Sequence, residues 1–74
     1  MVQTIENMKE NIKHLHKLNN EVMQDLLSME ELTPMQSQAL NETKRGDKEL
    51  KEFLQQDDEY IRKHYGKMIR KHQP

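Results

Sequence analysis

Ile5, Met8, Ile12, Leu15, Val22, Leu26 and Met29 follow one another at spacings of 3, 4, 3, 7, 4 and 3, and Asn19 is the one polar residue in the series. These are the a and d positions of a coiled-coil heptad. Leu18, Met23, Leu27 and Leu32 flank the seam and widen it into the stripe of a bundle helix. Neither glycine nor proline occurs before Pro34, so the pattern predicts one unbroken helix over residues 3–31. Thr33-Pro34 then punctuates the chain. Proline disfavours the α conformation in the residue before it and suits the first position of a new helix, with threonine as its N-cap. A turn at 32–34 and a second helix from Pro34 follow.

That second helix is less regular. Met35, Ala39 and Leu40 open it, and Leu50, Phe53, Leu54, Ile61, Tyr65, Met68 and Ile69 continue it at helical spacing, but residues 41–49 hold no large apolar side chain. Either Gly46 ends a short helix and Asp47 caps a third, or one helix runs over 34–71 with Gly46 inside it, at a cost of about 1 kcal/mol. Folding the chain back at residue 33 favours the long helix. Leu26 then meets Leu40, Leu15 meets Leu50, Ile12 meets Leu54 and Ile5 meets Ile61, while Asn19 meets Gly46-Asp47. One polar layer at one level of an apolar seam can fix its register, as a lone Asn does in coiled coils. On this reading the stretch beyond Tyr65 overhangs the start of the first helix and is exposed.

Composition sharpens the picture. The 74 residues are 32% apolar and 34% charged, against about 45–50% and about 25% in an average domain. One small domain, 1–74, is the most that fits, and so short a chain needs a staple, a metal or a partner to complete its core. No cysteine is present, so there is no disulfide staple, and a cytoplasmic location is expected. The longest apolar runs are too short for a membrane helix, and the polar opening Met1–Asn7 is unlike a secretory leader. A partner chain remains. The expected architecture is therefore all-α: an antiparallel two-helix hairpin whose leftover apolar positions, among them Leu18, Met23, Leu27, Phe53 and Ile69, are covered by dimerisation into a four-helix bundle.

Candidate chemistry is sparse. His14 and His16 are two apart and point different ways on a helix; Glu10 and His14 have the right spacing but lie outside the seam, as an exposed i,i+4 pair. Asp57-Asp58-Glu59 reads as a solvated face, with Asp58 and Glu59 set to pair with Arg62 and Lys63. Met8 and Met29 take core positions, while Met23 and Met35 suit a secondary apolar surface for varied partners. No catalytic, cofactor-binding or metal-binding residue is assigned. The strongest departure from neutrality is the end of the chain: Arg62, Lys63, Lys67, Arg70 and Lys71 give residues 60–74 a charge of +5, within a chain of net charge −1. Cations near a helix C-terminus oppose its macrodipole, and they can also meet an acidic protein surface or phosphate oxygens. With a pI near 6.4 and only Tyr60 and Tyr65 to stack on bases, nucleic acid is the less favoured partner.

Ser37-Gln38-Ala39-Leu40-Asn41 resembles the Ser-Gln-x-Leu-Asp signature of the small helical-hairpin phosphatases that act on sporulation response regulators. The likeness covers five residues. Asn41 stands where that family has its functional aspartate, and polar residues 42–49 replace the apolar run that follows it, which puts the activity in doubt. The general outline also suggests small helical export chaperones of flagella, without a motif. The sequence thus points to a non-enzymatic helical interaction protein, a regulator or adaptor expected to form a homodimer and to contact a protein partner through Arg62, Lys63, Lys67, Arg70 and Lys71. The rival is a nucleic-acid-binding regulator using the same basic segment.

Overall fold

A computed structural model describes residues 3–72; the two residues at each end of the expected 1–74 unit lie outside them. Three helices follow in order, α1 (Ile5–Leu27), α2 (Pro34–Leu54) and α3 (Asp58–His72), and no strand occurs among the described residues. The protein is all-α, with no described helix long and apolar enough to cross a membrane. It measures 45 × 22 × 15 Å.

Local chemistry sets each boundary. Thr4 caps α1 by accepting a hydrogen bond from the Asn7 amide at 3.1 Å. Thr33 caps α2 in a full capping box: its hydroxyl accepts from the Gln36 amide while the Gln36 side chain accepts from the Thr33 amide, and Pro34 opens the first turn. α1 ends at Leu27, not near residue 31. No cation sits in its last turn, and Glu30 and Glu31 follow directly, opposing the negative C-terminal pole. The Ser28 hydroxyl closes the end on the Asp25 carbonyl at 2.7 Å. Met29, expected in the core, is 42% exposed beyond the helix.

The expected helix over 34–71 is two helices. The break lies at residues 55–57, not at Gly46, which stays helical and buried within α2. Asp57 makes the break by accepting a hydrogen bond from the Tyr60 amide at 2.8 Å, capping α3, whose first turn carries Asp58 and Glu59. The architecture is therefore a three-helix unit in place of the expected two-helix hairpin. α2 runs antiparallel to α1, and α3 turns back antiparallel to α2 and along α1. Lys9 pairs with Asp58 at 3.1 Å near the start of α3, and Asn11 donates to the Tyr65 hydroxyl at 2.8 Å further along it.

Ile12, Leu50 and Ile61 are fully buried, one from each helix, with Phe53 and Met68 beside them. Ile5, Met8, Leu15, Leu54, Tyr65 and Ile69 pack round this cluster. Each fully buried aliphatic side chain contributes about 2 kcal/mol. The stretch beyond Tyr65 therefore does not overhang: Met68 and Ile69 belong to the core. Two expected surface pairs also differ. Asp58 pairs with Lys9 and not with Arg62, and Glu10 pairs with Lys13 at 3.4 Å and not with His14.

Candidate functional site

The polar layer expected from Asn19 and Gly46 is present and closely built. The Asn19 amide donates to the Thr43 carbonyl at 2.8 Å, and a Cβ placed on Gly46 would stand only 3.2–3.4 Å from the Asn19 side chain. The Asn19 side chain fills the space that a side chain at 46 would press on. Next to it, Asn20 donates to Asp47 at 3.4 Å, and His16 Nε2 lies 2.7 Å from the same Asp47 oxygen, a close contact not directed as a hydrogen bond.

α3 ends at this level. Lys71 Nζ donates to Glu49 Oε1 at 2.7 Å, and His72 Nε2, buried and without a hydrogen-bond partner, stands 3.8 Å from that oxygen. The Lys71 ammonium holds the Glu49 carboxyl below its ordinary range. Burial pushes the His72 imidazole down, outweighing its attraction to Glu49.

Past His72 the bed on which α3 lies continues empty. α3 has 15 residues against 23 in α1, so at about 1.5 Å per residue it stops about 12 Å short of the far end of the α1–α2 pair. On α1, Leu18 and Val22 extend the stripe of Asn11 and Leu15 that faces α3; on α2, Glu42, Ala39 and Met35 extend the stripe of Phe53, Glu49 and Gly46. Two adjoining hollows mark where α3 stops. One, of about 490 Å³, lies between Ala39, Thr43 and Gly46 on α2 and His72, and the other, of about 180 Å³, lies between Leu18, Val22 and His72, with Asn19 shared by both. Leu18 is 46% exposed, Val22 50% and Met35 80%. Arg45 and Lys71 line the larger hollow together with Glu42 and Glu49; beyond them this end of the molecule is acidic, since residues 18–43 contain Glu21, Asp25, Glu30, Glu31 and Glu42, all exposed, and no basic residue.

Of the basic residues named from sequence, Lys71 lines the larger hollow, and Arg62, Lys63, Lys67 and Arg70 line neither hollow. Arg62, Lys63, Lys67, Arg70 and Lys71 are all exposed on α3. Only Lys71 among them takes part in an ion pair within the described residues. No three His, Asp or Glu side chains are grouped to hold a metal among the described residues. The uncovered trough was not foreseen from sequence, because its opening depends on where α3 stops. The one signal for it was the apolar surplus at Leu18, Val22 and Met35. Comparison with models of known protein families, with curated proteins and with solved structures found no match to the chain.

Proposed function

We infer that this protein works by contact and not by catalysis: it is a helical interaction module, a regulator or adaptor, whose docking surface is the empty end of the trough between α1 and α2. The observation behind this reading is that the bed of α3 continues past His72 with Leu18, Val22 and Met35 all exposed. Contiguous apolar surface ringed by charge marks interaction sites on small soluble proteins. The bed already binds one helix, α3, over most of its length, so the matching occupant of the empty end is another amphipathic helix laid in line with it. The acidic free end, residues 18–43, selects a helix carrying lysine and arginine. The exposed bases of α3 supply a second contact face of opposite sign, suited to an acidic protein surface.

The test is titration of the folded protein with two synthetic amphipathic helices of equal apolar content, one basic and one acidic, alongside a Leu18→Gln/Val22→Gln variant. The expected outcome is saturable binding of the basic helix alone, lost in the variant while its helical circular dichroism is kept. Equal binding of both helices, or undiminished binding by the variant, contradicts the reading.

A further inference from the structure

We propose that the occupant of the trough is α3 of a second copy of this chain, docked by its outer face, so that two molecules lie antiparallel and each covers the empty end of the other's trough. The proposal rests on the docking surface inferred above and names its partner.

Charge is the first argument. The free end of the α1–α2 pair, residues 18–43, carries five acidic side chains and no basic one, whereas α3 carries five basic side chains against Asp58 and Glu59. One molecule thus bears both halves of a complementary pair on separate surfaces. Complementary patches steer encounter and fix register, and like charges brought together penalise the alternatives. Pairing the two free ends with each other, as a four-helix bundle would, sets five carboxylates against five. Setting each free end on the other molecule's α3 matches acid with base twice.

The second argument is the form of α3. Its inner face is spent on its own core through Ile61, Met68 and Ile69. Its outer stripe runs Glu59, Lys63, Gly66, Arg70 at spacings of 4, 3 and 4, all exposed, with Arg62 and Lys67 on either side. A Cβ on Gly66 would meet nothing within 4 Å, so the centre of this stripe is a gap between long basic side chains. A second helix pair can approach closely there. The aliphatic stems of Lys63 and Arg70 then lie over Leu18 and Val22 while their charged heads reach Asp25 and Glu42.

Antiparallel stacking follows from where the surfaces lie. The acidic trough occupies one end of the long molecule and α3 the other, so only a reversed second copy sets each over its complement. Two-fold symmetry makes every contact twice, which doubles an interface too small on one side alone.

The experiment is sedimentation equilibrium of the intact chain with two reversal variants, Asp25→Lys/Glu42→Lys and Lys63→Glu/Arg70→Glu, all four positions being exposed. Fold is checked by circular dichroism. The wild type is expected to be a dimer in low salt. Raising salt from about 0.01 M to about 1 M, which shortens the screening length from about 30 Å to about 3 Å, weakens that dimer by at least about tenfold. Each variant alone is monomeric, because the positions that meet, 25 and 42 against 63 and 70, now carry like charge, and an equimolar mixture of the two restores the dimer. A wild type monomeric at about 1 mM in low salt overturns the proposal, as does a dimer strengthened by salt or one that survives Lys63→Glu/Arg70→Glu. In the first case, binding of the basic synthetic helix separates the two failures: if it persists, the docking surface stands with a different occupant, and if it is absent both readings fall.

Discussion

One missing side chain decides how closely α1 and α2 approach. Gly46 sits inside a helix, where glycine costs about 1 kcal/mol relative to alanine, and the cost is offset by the Asn19 amide that occupies the vacated space and binds the Thr43 carbonyl. Gly66 has no such neighbour. The two glycines therefore respond differently to the same change. In dilute protein, Gly66→Ala is expected to stabilise by about 0.5–1 kcal/mol. Gly46→Ala is expected to gain nothing or to destabilise, because Asn19 must shift and loosen its hydrogen bond; in an Asn19→Ala background the same substitution recovers the propensity gain. Urea denaturation of the four variants, closed as a double-mutant cycle, checks this, and equal gains at both glycines would sink it. This pair was legible in the sequence. A lone asparagine in an apolar seam and a glycine at the facing level are local signals, and both partners lie on helices whose register the heptad spacing sets.

At the scale of elements, legibility was uneven. The capping box at Thr33 and the straight heptad run of α1 mark their helices plainly. The break at 55–57 was hidden because Leu54 and Ile61 are seven residues apart, so the apolar period runs through the gap as though the helix continued. The signal was Asp57 followed by two more acids, which suits a helix start as well as a solvated face. The end of α1 was hidden in the same way by Met29 and Leu32.

Once α3 folds back, its last turn is held by Glu49, Lys71 and His72, and this clamp depends on pH. Burial lowers the His72 pKa, so the folded chain binds fewer protons there than the unfolded chain. The stability lost begins to appear as pH falls through the ordinary imidazole value of 6.5. The lowered Glu49 pKa, due first to Lys71, adds a loss in the same direction below about 4.5. Acidification from neutrality should therefore loosen the end of α3. An NMR titration of the His72 ring is expected to give a midpoint below that of free histidine; a midpoint at or above it would mean that attraction to Glu49 outweighs burial.

For the whole molecule, the decisive fact is that the third helix is shorter than the two it lies on. Sequence periodicity reports which residues seek cover but not how far the covering element extends, so the three-helix closure and the partly empty trough both escaped it. The same asymmetry leaves apolar surface beside acid at one end and places base at the other. The docking surface exists only because α3 turns back beside α2. Spin labels at the exposed positions Arg45 and Arg70 measure this directly, since the cysteine-free chain admits two engineered cysteines without competition. With Lys71 bound to Glu49 at 2.7 Å, a single short distance is expected, under about 20 Å once the helix widths are included. A distance near about 37 Å, the rise of 25 residues along one continuous helix, would contradict the fold-back and with it the trough.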